Sequence, residues 1–272
     1  VKINPNKGGT VDAYGVPGKG RSLAISAVTA GCLFLIWWLV TRFELVSPLF
    51  LPPPSAVWQQ VVAVSLSGFG GATLWQHTLI SIYRVFMAFI FACLTAIPIG
   101  LAMGMSRIFR GVFDPPIEFY RPIPPLAYLP LIIIWFGIGE VAKILLIYLA
   151  CFAPMALSTR AGVRSVSIEQ IHVAYSLGAT RAQVIRHIVV NAALPEILTG
   201  MRIGIGFAWT TLVAAEMVAA AAGLGYMILN ASEFLVTDVV LMGIIVIGLI
   251  ALLSDLLMRY VEKKLVPWKG KV

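Results

Sequence analysis

Two groups of polar residues stand where the rest of the chain is apolar, and each could bind a small charged molecule. Glu118 and Arg121 lie three residues apart. On a helix they share a face and can pair, or Arg121 can offer its fork of donors to an oxyanion. Glu216, in the run LVAAEMVAA, could accept from an ammonium, with Trp209, Thr210 and Thr211 about two turns before it. A charge at the centre of a bilayer costs about 2.5–3.5 kcal/mol, so its presence asks for a reason. Each group also has a plainer reading. Glu118 and Arg121 could pair to stabilise a bend, and Glu216 could make an interhelical hydrogen bond or pack beside the GLGY of Gly223–Tyr226.

Covalent and metal chemistry find no such footing. Cys32, Cys93 and Cys151 each sit in an apolar run, and His77, His172 and His187 are scattered without ligand spacing. The nearest approach to a phosphate loop, GVPGKGRS from Gly15 to Ser22, fails. The glycine needed five residues before Gly18 is Ala13, and Lys19 is followed by Gly20 instead of Ser or Thr. No catalytic residue, metal or cofactor site is expected in this chain.

The elements that position these residues follow from composition. Of the 272 residues 60% are hydrophobic and 12% are charged, against about 25% charged in soluble domains, and the mean hydropathy is +0.93. A bilayer is the solvent this implies, and the fold class expected is all-α with about six transmembrane helices. Twenty uncharged residues between Arg21 and Arg42 make the first span, with Trp37 and Trp38 at interface depth. That run is too long for the core of a cleaved signal and lacks a small-x-small site, so a retained anchor is expected. Phe43 to about Gln76 reads as an outer segment, with Ser55 capping a short amphipathic helix whose apolar side is Val57, Trp58, Val61 and Val62.

Further spans are expected over Arg84–Ser106, Pro116–Gly137, Val141–Thr159, Thr199–Ala222 and Val239–Met258. The second carries Pro98 and the spacing Gly100, Gly104, which permits close helix packing. The third cannot be one regular helix, because Pro116, Pro122, Pro124, Pro125 and Pro130 fall within it. The expected organisation is a disordered basic tail over 1–21, a first span and surface segment over 22–77, a helical core over 78–260 and a short tail over 261–272. With the N-terminus cytoplasmic, sixteen Lys and Arg fall in cytoplasmic segments and two, Arg42 and Lys143, in outer ones. That bias puts both termini in the cytoplasm.

One cytoplasmic segment, 167–191, is built rather than merely connecting. Ser167 with Gln170 and Thr180 with Gln183 are two capping boxes. The first helix ends at Leu177, with Gly178 as left-handed stop. The second has Val184, Ile185, Ile188 and Val189 as its apolar face and Arg186 and His187 toward its C-terminal end. Helix–turn–helix reading of DNA is one use for such a unit. Membrane helices within about ten residues leave no third helix, and only Arg181 and Arg186 could meet phosphate. No nucleic acid is expected. A structural connector and a dock for a soluble partner remain.

The same stretch resembles the cytoplasmic hallmark of the membrane subunits of bacterial ABC importers that work with a periplasmic binding protein. That hallmark is Glu-Ala-Ala, three residues, Gly, nine residues, Ile, one residue, Leu-Pro. Here the positions read His172-Val173-Ala174, Gly178, Ile188 and Val190-Asn191, so Ala174, Gly178 and Ile188 match while the other four depart. The missing proline leaves Pro195 to stop the second helix. SPLFLPPP, ATLWQH, FYRPIPPLAYLPLIIIWFGIGE, KILLIYLA, SLGATRAQV and ALPEILTGMRIG extend the likeness over nearly everything after residue 20. They are most similar to the nitrate/sulfonate/taurine branch, and within it to permeases for taurine.

The resemblance implies a type I ABC importer permease fold in the bacterial inner membrane. It implies a homodimer of permeases, two copies of a cytoplasmic ABC ATPase that binds ATP and Mg, and a periplasmic substrate-binding protein. His172, Ala174, Tyr175, Leu177, Gly178, Ala179 and Arg181 would meet the ATPase. Glu118, Arg121, Trp209, Thr210, Thr211 and Glu216 would border the path of taurine, another aliphatic sulfonate or nitrate. A membrane-anchored receptor without transport and an ion-driven transporter are the rivals; the inverted repeats that would favour the latter are not evident in the sequence.

Overall fold

The computed structural model describes residues 23–267. The expected N-terminal tail lies outside them, as do the last five residues. The first helix, α1, spans Leu23–Arg42. At its far end the Trp37 indole donates to the Pro52 carbonyl at 3.1 Å.

The body from Ser55 onward is a compact unit of its own. Helix α2 (Pro54–Ser67) begins on proline, whose missing N–H costs nothing at a helix start. Ser55 is therefore inside the helix and is not its cap. The apolar side also differs from the expected one: Val57 and Val64 are buried and Val61 half-buried, while Trp58 and Val62 are exposed. Helix α3 (Leu74–Met105) is capped by Thr73 and Gln76 in a reciprocal box, so it starts ten residues before the expected Arg84.

The third expected span is two helices, α4 (Arg107–Tyr120) and α5 (Pro125–Phe136), which meet at 107° across the Pro122/Pro124 break. Proline removes backbone donors and forces extended geometry on its predecessor, so the break falls where the prolines cluster. Asp114 of α4 pairs with Arg160 of α6 (Glu140–Arg164). Then come α7 (Ile168–Ser176), α8 (Arg181–Val184), a π-helical turn (Ile185–Val189), α9 (Val190–Ala219), α10 (Leu224–Glu233) and α11 (Thr237–Leu265). Pro195 lies inside α9 and does not stop it, so the helix that Thr180 starts runs into the fifth span with no terminus for Arg186 and His187 to cap. Helix α11 reaches Leu265, which shortens the expected C-terminal tail. Among the described residues five helices are long and apolar enough to cross a membrane, or six with α4–α5 as one broken span.

Close packing of α3, α6 and α9 makes the core, and small residues permit it. Ala88, Ala92, Ala96 and Gly100 recur every four residues along α3, fully or nearly fully buried. A Cβ on Gly100 would stand 2.5 Å from the Ala156 carbonyl oxygen. Gly104 meets Val163, Gly162 meets Ala193, and Gly204 meets Met155 in the same way. Gly100→Ala should therefore push α3 off α6 at a cost of about 1–3 kcal/mol. Gly111→Ala, with nothing within 4 Å, should leave stability unchanged or slightly raised. Thermal unfolding of the two variants in one detergent makes the comparison.

Candidate functional site

The unit joining α6 to α9 is held by its own backbone. Ser167 accepts from the Gln170 N–H at 3.3 Å, half of the expected reciprocal box. At the other end Gly178 takes φ +82°, its N–H bonds Tyr175 O at 2.9 Å, and the Ala179 N–H bonds Ala174 O at 3.0 Å. These two bonds close a helix through a left-handed residue, which glycine adopts without strain. Thr180 and Gln183 then form a complete capping box, at 2.8 and 3.4 Å. Thr180→Ala should cost about 1 kcal/mol of local stability, seen as faster hydrogen exchange at the Ala182 and Gln183 amides.

Inward, Ala174 and Val184 join Val163, Val189, Ala193 and Ile197 in a common apolar cluster. Outward, Leu177 is 82% exposed, and Val173, Tyr175, His172, Gly178 and Arg181 are exposed too. Ala174 is thus a packing residue, whereas its neighbours form a surface. A cavity of about 360 Å³ lies in the crook of the turn, lined by Leu177, Gly178, Ala179, Gln183, Val184, His187 and Ile188. Where His172 replaces the family's glutamate, Glu169 stands one turn earlier. Its carboxyl is held below its usual range by its own backbone N–H and by Ser167.

The residues expected along a path are dispersed. Glu118 and Arg121 are both exposed, and no ion pair joins them. Trp209 and Thr211 are buried, and the Trp209 indole N–H has no protein partner. Thr210 is exposed and bonds back to Phe207 O at 3.0 Å.

Glu216 is fully buried beside the expected GLGY turn, in a cluster whose side-chain partners the sequence reading did not single out. Arg84 Nη1 donates to Glu216 Oε1 at 2.7 Å and to Ala222 O at 2.7 Å. Its Nε and Nη2 hold both oxygens of Glu140, at 2.7 and 2.6 Å, and Lys143 adds a third bond to Glu140 at 2.9 Å. Ser81 and the Gly225 N–H complete Glu216 at 2.7 and 2.8 Å. Beside them the Gly223 N–H donates to His77 Nδ1 at 3.0 Å, which places that ring's proton on Nε2, facing Phe69 O at 2.9 Å. The cluster ties α3, α6, α9 and the α9–α10 loop together at the end of the bundle opposite α7. Two cationic side chains face two carboxylates, so each charge in the cluster meets an opposite one. A signal for it existed: His77, Ser81 and Arg84 are spaced four and three apart, a polar stripe on an apolar helix. Among the described residues no group of His, Cys, Asp and Glu could hold a metal ion.

Comparison with known proteins gives a consistent picture. The chain is 54% identical over 253 residues to the taurine transport system permease protein TauC of Escherichia coli, covering 93% of this chain and 92% of that one. It is 37% identical to the putative aliphatic sulfonates transport permease protein SsuC of Bacillus subtilis, with 88% and 85% covered. In fold it matches a chain of the inward-facing MetNI methionine ABC transporter, with a TM-score of 0.57 at 20% identity, over 69% of this chain and 95% of that one. Residues 96–267 match the family described as the binding-protein-dependent transport system inner membrane component. With its apolar helices, its α3–α6–α9 core and the α7–turn–α8 unit, this multi-pass chain belongs to that family: it is a permease subunit of the ABC importers.

Proposed function

We propose that the chain forms the translocation pathway of an ATP-driven importer of taurine or a closely related alkanesulfonate. The identity of 54% over 253 residues to a taurine permease carries this reading. Two copies would enclose the path, and two copies of a cytoplasmic ATPase would seat on α7 and α8. A binding protein would deliver substrate at the opposite end. Supporting the orientation is the sequence count of sixteen Lys and Arg in segments expected on the cytoplasmic side against two in those expected outside. Supporting the dock are Leu177, Tyr175 and Val173, apolar side chains held outward by a rigid turn. Such a knob fits a partner's groove, where a few well-placed apolar anchors carry most of the affinity.

The chain itself is non-catalytic in this reading, and ATP and Mg belong to the partner. Co-purification with a candidate ABC ATPase and binding protein, followed by uptake of labelled taurine into proteoliposomes, tests it. ATP-dependent accumulation of taurine is expected. Accumulation of longer alkanesulfonates with no taurine uptake would shift the assignment toward the substrate class named for the 37% relative. ATPase binding without uptake of any solute would leave a membrane-anchored scaffold.

A further inference from the structure

A cleft of about 420 Å³ opens between parts of α9 and α11, lined on α9 by Arg202, Ile205, Trp209 and Thr210 and on α11 by Ile247, Ala251 and Asp255. Its walls are apolar except at the end nearer the α7–α8 unit. There Asp255 sits between two arginines: Arg202 Nε bonds its Oδ1 at 2.7 Å and Arg259 Nε bonds its Oδ2 at 2.7 Å. Arg202 also approaches Glu262 at 3.9 Å.

This triad differs from the Arg84 cluster in one respect that matters. The Arg84 and Glu216 side chains are 3% and 0% exposed, closed to any solute, whereas Arg202 and Asp255 are 36% and 31% exposed beside an open cleft. Arg202 engages Asp255 through Nε and its guanidinium borders the cleft, whereas Arg259 holds the other oxygen of Asp255 from outside the lining. The carboxylate between them disfavours a simple anion, and the paired guanidinium groups disfavour a simple cation. A molecule carrying both signs a short distance apart satisfies both at once: its oxyanion takes the arginine donors and its ammonium takes Asp255.

We propose that the triad end of this cleft is a binding site for a zwitterion whose ammonium and oxyanion are joined by a two-carbon chain. The inference rests on the proposed taurine reading for one of its two sources, the 2-aminoethanesulfonate in transit toward the cytoplasm. The other source carries the same chemistry: the aminoethyl phosphate headgroup of phosphatidylethanolamine, whose acyl chains would follow the apolar walls. Arg202 and Asp255 are the residues that set the specificity, through charge-assisted hydrogen bonds.

The test uses the permease–ATPase complex in nanodiscs of phosphatidylcholine and phosphatidylglycerol, with and without phosphatidylethanolamine. Millimolar taurine is expected to raise the melting temperature of the wild type, and ethanesulfonate and ethylamine to do so far less. Asp255→Asn and Arg202→Gln should each weaken that response by about tenfold or more in taurine concentration, and Asp255→Glu should restore part of it. A taurine response reduced by phosphatidylethanolamine assigns the site to the lipid as well. A response indifferent to it assigns the site to the solute alone. A melting temperature that depends on phosphatidylethanolamine through Asp255, without any taurine response, assigns it to the lipid. The proposal is overturned if Asp255→Asn leaves every ligand and lipid response unchanged, or if ethanesulfonate acts as strongly as taurine. Uptake in matched vesicles separates the two claims. Wild-type taurine uptake with an unaltered Asp255→Asn ligand response defeats the site and leaves the transport reading standing. Absence of wild-type taurine uptake defeats the transport reading whatever the triad binds.

Discussion

Arg84→Met is expected to destabilise the permease by about 3–5 kcal/mol, the usual cost of stripping one partner from a buried ion pair. Glu216 would keep only the Ser81 hydroxyl and the Gly225 N–H, with no exposure through which water could replace the guanidinium. Glu140 behaves differently because its side chain is 49% exposed and can rehydrate. Glu140→Gln should therefore cost much less than either Arg84→Met or Glu216→Gln. Arg84→Lys keeps the charge but loses the fork that spans two carboxylates and the Ala222 carbonyl, so it should fall between. Thermal unfolding of the four purified variants in one detergent checks the order. Equal losses for Glu140→Gln and Arg84→Met would show that burial is not what governs the cluster.

Gly178→Trp is expected to leave the permease folded and to abolish its association with the ATPase. The φ of +82° is costly for any residue with a Cβ, about 1–2 kcal/mol. Nothing lies within 4 Å of the position a Cβ would take, so no core contact is lost. The indole would project from the turn that exposes Leu177, across the cavity beside His187 and Ile188. Obstructing the centre of such a contact typically removes about 2–4 kcal/mol of binding, or about 30-fold to 1000-fold in affinity. Gly178→Ala carries the same backbone strain without the bulk, so it isolates one effect from the other. Pull-down of the ATPase and unfolding temperature, measured on both variants, give the two readouts. Wild-type uptake by Gly178→Trp would remove the turn from the coupling path.

Local signals in the sequence proved legible where one residue type dictates one geometry. Gly178 stops α7 through a left-handed conformation, Thr180 and Gln183 start the next helix, and Pro122, Pro124 and Pro125 mark the break of the third span into α4 and α5. The spacing of Gly100 and Gly104 likewise announced the α3–α6 contact. What was not legible depends on partners far apart in the chain. Arg84 meets Glu216 across 132 positions and Glu140 across 56, and no local pattern states which acid a buried arginine will meet. Lys143, expected among the outer-segment charges, is buried against Glu140 for the same reason. Pro195 misled because proline ends isolated helices, whereas a long packed helix can carry one when tertiary contacts hold both sides. The pairing of Glu118 with Arg121 follows helix spacing, yet α4 ends at Tyr120 and Arg121 is its C-cap, with both side chains exposed.

The π turn at Ile185–Val189 has a consequence for how the chain can change length. An i→i+5 turn holds one residue more than the α turns on either side of it. Removing one residue from an ordinary stretch of helix swings everything beyond it by about 100°. It would carry the Arg202, Ile205 and Trp209 stripe away from α11. Removing one here would only tighten the turn to α pitch, leaving the faces above and below in their present alignment. The joint between α8 and the membrane rod is thus a point of slack in residue count, and α9 can absorb a deletion there that it could not absorb elsewhere.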